Sequence, residues 1–192
     1  MKTLTENRAL RELEKLKSDY RNFIKTRYEH KAQNCETCPT KGACCLDAHF
    51  VNVHITRLEA IAIRETLGKL DEKKQREIYR RAEETVEKYD LKTSGDTFAQ
   101  TYACPVFEKG IGCLTHSESK PAPCISHACY ENEADLPPDN LQTEIENQIE
   151  RLNKRTYSKN SLWLPLPVWL GLVNPFSRVF KIEENLTTDV HQ

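Results

Sequence analysis

Eight cysteines carry most of the chemistry that this 192-residue chain can offer. They fall into two groups, Cys35-x2-Cys38-x5-Cys44-Cys45 and Cys104-x8-Cys113-x10-Cys124-x4-Cys129, and none lies outside them. A Cys-x2-Cys bend brings two thiolates to about 4 Å in a tight turn, the separation needed on one metal ion or along one edge of an iron–sulfur cube. Gly42, close before Cys44, suits a turn of positive φ in which backbone amides point at the sulfurs and stabilise their charge. The side chains of adjacent Cys44 and Cys45 diverge, so both are ligands only on different metals or different cluster corners; otherwise one is spare. His116 and His127 each complete a Cys-x2-His step, behind Cys113 and Cys124, and read either as imidazole ligands or as groups outside the ligand set. Isolated cysteines are small buried hydrophobes, but eight in two compact groups favour metal binding over core filling or disulfides. Thiolate ligation selects soft metals, either zinc in a closed structural site or iron in a [4Fe-4S] or [2Fe-2S] cluster, and eight thiolates allow two four-ligand sites.

The elements that must position these residues are mainly helical. From Leu4 to about Tyr28, Leu13, Leu16, Tyr20, Phe23, Ile24 and Tyr28 recur at steps of three and four, predicting one long N-terminal helix within residues 1–33. At 1.5 Å per residue it is about 40 Å long, so it either lies across the domain or projects and self-associates with a second copy. Residues 34–130 form the cysteine-cluster unit. Within it, Phe50 to Ile55 alternates apolar and polar, the period of a half-buried strand. Thr56 and Glu59 make a capping box that starts a helix at Arg57 running to about Leu67 and ended by Gly68. Asp71 caps the next helix, with Ile78, Ala82, Val86 and Tyr89 on one face. Residues 131–192 supply a C-terminal helix marked by Leu141, Ile145, Ile149 and Leu152, then an apolar run, Leu162 to Val173, with Trp163 and Trp169. That run wraps over the core or, in the sharper reading, forms a partner or substrate groove. The expected fold is mainly α: helices around a cysteine-rich metal-binding core, with a short strand or hairpin and the two cysteine loops brought together.

Composition narrows the function. With 28 Lys and Arg against 29 Asp and Glu, the formal charge is −1, so no bulk attraction to nucleic acid or to an anionic membrane exists. The first 33 residues hold nine basic and five acidic side chains and no apolar h-region, which argues against a secretory signal and for a cytoplasmic chain. Leu162 to Val173 is broken by Pro165, Pro167 and Gly171 and falls short of the roughly 20 residues that a membrane-spanning helix needs. In a reducing cytosol, clustered cysteines hold metals or do redox work rather than staple loops. No Gly-x-Gly-x-x-Gly, Walker lysine loop, His-Glu-x-x-His or Gly-x-Ser-x-Gly occurs, so no catalytic residue is assigned. The pair Glu83 and Glu84 reads as solvent-exposed helix surface.

Cys35, Cys38, Cys44 and Cys45, then Thr56 and Glu59, then Cys104-Pro105-Val106-Phe107, Cys113 and Lys120-Pro121-x-x-Cys124 follow one another in an order that resembles the YkgJ-type cysteine-cluster family. The resemblance covers about Cys35 to Cys129. Here the spacing before Cys44 is longer by three residues, Leu-Thr-His replaces Ile-Tyr after Cys113, and Lys120 replaces an arginine. The resemblance implies a zinc- or iron-chelating domain and tilts the metal toward iron, with a [4Fe-4S] cluster ahead of zinc. It also implies a redox or metal-handling role with a redox or protein partner. Similar cysteine-rich regions occur in flagellin lysine methylases, so the enzymatic form of this reading is an iron–sulfur oxidoreductase or a methyl-transfer partner. The other class is a zinc-stabilised binding module without catalysis, its function lying on a surface such as Leu162 to Val173.

Overall fold

The computed structural model describes residues 3–33, 40, 42–46, 51–158 and 162–177. Among these residues the architecture is mainly helical. Seven α-helices occur, α1 (Glu6–Arg27), α2 (Ala43–Leu46), α3 (Arg57–Leu67), α4 (Glu72–Lys88), α5 (Ala122–Ser126), α6 (Asp139–Tyr157) and α7 (Leu166–Leu172). Four two-residue strands form two small antiparallel pairs. The first joins β1 (His54–Ile55) to β4 (Leu164–Pro165), and the second is a hairpin of β2 (Phe107–Glu108) and β3 (Gly112–Cys113). No helix of the described residues is long and apolar enough to cross a membrane.

Helix α3 is the centre of the fold because its amphipathic pattern has two apolar sides. Ala60, Ile61, Ile63 and Leu67 join a core with Ile78, Tyr79 and Ala82 of α4 and with Leu166, Val168, Trp169 and Leu170. Leu58 faces a second core made with Leu13, Tyr20 and Ile24 of α1, Ile125 of α5, and Ile145, Ile149 and Leu152 of α6. The capping box forms as its residues demand: Thr56 Oγ1 accepts from Glu59 N at 3.4 Å, and Thr56 N donates to Glu59 Oε2 at 3.3 Å. A further first-turn donor, Leu58 N, reaches Asn153 Oδ1 of α6 at 3.0 Å, so the start of α3 is locked onto α6. The Asp71 side chain accepts from Lys74 N at 2.9 Å and starts α4 as its position predicts.

The long N-terminal helix lies across the domain. Its start is tied to the end of α6 by Leu4 N donating to Arg155 O at 2.9 Å and by Tyr157 Oη donating to Glu6 Oε2 at 2.5 Å. The buried stripe is Ala9, Leu13, Lys17, Tyr20 and Ile24. This differs from the expected stripe in two ways: Phe23 is 42% exposed, and a lysine occupies the middle of the apolar face.

The expected strand from Phe50 to Ile55 shortens to His54–Ile55, and Phe50 lies outside the described residues. The physical reason is its partner, where Pro165 has no N–H and the chain turns at once into α7. The carbonyls upstream find other donors: Val51 O accepts from Tyr102 N at 2.9 Å, and Val53 O accepts from Leu166 N at 2.9 Å and from the Tyr102 hydroxyl. Residues Leu164 to Leu170 are all buried, so the middle of the apolar run is core, while Leu162 and Leu172 are exposed and Trp163 is half-buried.

Candidate functional site

Among the described residues, the Cys44-Cys45 end of the first cysteine group meets the second group. Helix α2, which carries Cys44 and Cys45, begins after Gly42 at φ +83°, a left-handed conformation that glycine adopts without strain. An added Cβ at Gly42 would stand 2.0 Å from Phe107 Cζ, so the β2 aromatic ring rests directly on this glycine. Next to it, Cys104 N donates to Cys45 O at 2.8 Å, joining the groups through the backbone. The hairpin then turns back to present Cys113, whose Sγ lies 3.3 Å from Thr115 Oγ1. Cys124 sits in α5, opened by Pro121 and Ala122.

The loop between Cys113 and Cys124 is held by three side chains from other elements. Arg21 Nη1 donates to Ser117 O at 2.9 Å, Lys17 Nζ donates to Ser119 O at 3.3 Å, and Ala122 N donates to Glu59 Oε1 at 3.2 Å. Lys17 Nζ also donates to Glu59 Oε1 at 3.2 Å, with side-chain exposures of 5% and 0%. A buried ion pair between α1 and α3 is thus the floor on which the last cysteine loop rests. Burial lowers the Lys17 pKa, while Glu59 and the nearby Cys124 raise it.

Cys45, Cys104, Cys113 and Cys124 lie close enough for their charges to act on one another. Burial raises the Cys45 pKa, and the charges of Cys44, Cys104 and Cys113 add to the rise. The Cys104 thiol is pushed up to about 12, first by burial and then by Cys113, against the lowering effects of the Val106 and Phe107 amides and of Arg81. Cys124 is raised well above the usual thiol range by burial and by Cys104, with Lys120 opposing. Such a gathering of half-buried thiols resists ionisation in the absence of a cation and ionises readily on one. None of the six described cysteines is in a disulfide.

Cys35 and Cys38 lie outside the described residues. Cys44 is exposed, on the same short helix as Cys45. Cys129 is half-buried, and its carbonyl accepts from Gln33 N at 2.8 Å, which fixes it beside the entry to the first cysteine loop. His116 and His127 are exposed on the surface, with pKa values lowered mainly by loss of solvent and secondarily by Lys120. Among the described residues, no three His, Cys, Asp or Glu side chains already stand in an arrangement that holds a metal ion. The donor chemistry therefore fits a soft metal, while the described part of the site is not a closed coordination shell.

Three participants escape sequence reasoning. Lys17 is masked by its charge, although its spacing four after Leu13 and three before Tyr20 places it on the buried stripe. Glu59 is legible as a cap but not as the counter-ion of a lysine 42 residues away. Arg81 of α4 has Nε and Nη2 buried without a partner, and its charge favours the Cys104 thiolate. No protein family, no curated protein and no solved structure matches the chain, so the likeness to YkgJ-type domains rests on the order of the motif residues.

Proposed function

We propose that the chain is a metal-binding protein whose cysteines carry an iron–sulfur cluster, with a redox or metal-handling role in a reducing compartment such as the cytosol. The observation that carries this reading is the convergence of Cys45, Cys104, Cys113 and Cys124, from four separate segments, to within reach of one another's charges, with none in a disulfide. These four are the first candidates for ligands. Cys35 and Cys38 add the Cys-x2-Cys pair of the first loop, and Cys44 and Cys129 flank the set. A bound cluster would supply one-electron chemistry.

The chain's own residues set the surroundings of those thiolates. The amides of Val106 and Phe107 aim at the Cys104 sulfur, and Lys17, Lys120 and Arg81 place three cations around a set that becomes anionic on ionisation. The Lys17–Glu59 pair holds the loop that carries Cys124 at fixed depth. The test is metal and acid-labile sulfide analysis, with an absorption spectrum, on protein purified without air. About four irons with matching sulfide and a broad visible band support one [4Fe-4S] cluster. Zinc with no colour replaces the redox reading by a structural site, and absence of any bound metal overturns both.

A further inference from the structure

We propose that the cleft between β1, the first half of α6 and the turn at Thr97–Ala99 binds a guanidinium group. The cleft has a volume of about 340 Å³, in the range of small-ligand sites, and no lysine or arginine lines it. Its lining includes His54, Phe98, Gln142, Glu146, Glu150 and Trp163. None of the cysteines takes part, so the inference stands apart from the metal reading.

His54 of β1 lines the cleft. Alternation along the strand would turn it to solvent, yet it is 3% exposed. Its Nδ1 lies 3.0 Å from the Asn52 carbonyl oxygen. A carbonyl only accepts, so Nδ1 carries the hydrogen, and in the neutral form of the ring the lone pair sits at Nε2. That nitrogen is buried without a partner, a condition that buried polar atoms seldom keep. An N–H donor from a ligand would satisfy it.

The other groups extend the match. Glu146 is a half-buried carboxylate held in place by Gln142 Nε2, which donates to its Oε1 at 2.9 Å. Glu150 stands one turn further along the same face and pairs with Lys154 at 2.7 Å. The Phe98 ring stacks on His54 at 4.4 Å between centroids, and Trp163 borders the same space. An unfilled acceptor, carboxylates and aromatic faces together call for a planar cation rich in N–H donors and without acceptors. The guanidinium group has those properties. An anionic ligand would face two carboxylates and a lone pair.

The experiment is calorimetric titration of the full chain with ethylguanidinium, with propylammonium as the compact cation and Gly-Arg-Gly as the peptide form of the same group. Saturable one-to-one binding of ethylguanidinium is expected, at least about fivefold tighter than propylammonium because only the planar ion stacks. Tighter binding of Gly-Arg-Gly assigns the site to an arginine side chain, and weaker binding assigns it to a free guanidino compound. Glu146→Gln, which keeps the shape and removes the charge, is expected to weaken binding about tenfold or more. His54→Phe keeps the ring on Phe98, removes the acceptor, and is expected to weaken binding about fivefold. Circular dichroism confirms folding, and Glu146→Gln decides alone if His54→Phe does not fold. Absence of saturable binding, equal affinity for the two small cations, or full affinity in the folded variants overturns the proposal. Metal content measured on Glu146→Gln is expected to be unchanged, which keeps this result separate from the metal reading.

Discussion

Replacing Lys17 by Met tests whether the buried ion pair positions the last cysteine loop. The substitution keeps an unbranched apolar stem on the α1 stripe and removes the ammonium, so two contacts go at once: 3.2 Å to Glu59 Oε1 and 3.3 Å to Ser119 O. Among the described residues, the fully buried Glu59 carboxylate then keeps the amides of Ala122 and Thr56 as its partners. Breaking a buried pair from one side costs about 3–5 kcal/mol, because the remaining charge is left uncompensated. With a urea slope of about 2 kcal/mol per molar, the midpoint should fall by about 2 M. Glu59→Gln added to Lys17→Met should recover part of the loss, since the amide oxygen still accepts from Ala122 N and no charge stays buried. The assay is equilibrium urea unfolding at pH 7 on wild type, both single variants and the double, with bound metal measured on each. The exposed pair Arg8–Glu12, with side-chain exposures of 64% and 36%, is the control, and its removal should be close to silent. A Lys17→Met midpoint as close to wild type as the control, or a double variant no better than the worse single, would refute the claim that these two residues act as a buried pair.

Four further outcomes are expected. Gly42→Ala should destabilise more than Gly110→Ala in thermal melts: both glycines have positive φ, but only at Gly42 does the new methyl meet an aromatic ring, and comparable melting points would show that Phe107 yields freely. Cys104→Ala and Cys35→Ala should lower bound metal and stability by elemental analysis and melting, whereas unchanged values in both would remove the assigned site. Stability should fall as pH rises between about 10 and about 12. Burial pushes Tyr79 up to about 12 and raises Tyr102 and Tyr157, so these hydroxyls hold their protons more tightly when folded, stabilise the fold fully below the free tyrosine pKa, and lose that effect as pH climbs through the folded value. Absorbance titration at the phenolate band should show ionisation and unfolding together; stability flat to pH 12 would contradict it. Finally, Asn153→Leu should loosen the start of α3 by about 1–3 kcal/mol, because Leu58 N is left as a buried donor without an acceptor, and a neutral result in urea unfolding would show that water replaces it.

How much was legible follows from where each signal resides along the chain. Local signals transferred well. Thr56, Glu59 and Asp71 mark two helix starts because a cap is decided within three residues, and the face of α6 was visible because Ile145, Ile149 and Leu152 repeat at its period. Signals that depend on a distant partner did not transfer. Lys17 reads as solvent-facing until a carboxylate on α3 meets it, and His54 reads as outward-facing until the proline-broken β4 and the Thr97–Ala99 turn cover it. In both cases the rule broken was the same, polar residues outward, and in both the exception borders a candidate site. Burying Lys17 is destabilising unless Glu59 compensates, and the two residues that compensate each other also hold Ser119 and Ala122 on either side of Lys120. The pair therefore ties the loop that presents Cys124 to α1 and α3 at once. A chain that placed its cysteines on free loops would have to order them when metal arrives; here the helices order Cys124 beforehand, and the loss of conformational freedom is met during folding rather than on binding. Under the proposed metal reading, Lys17 and Glu59 set metal affinity as well as stability, and Lys17→Met is expected to weaken metal retention under chelator at urea concentrations where the variant is still folded.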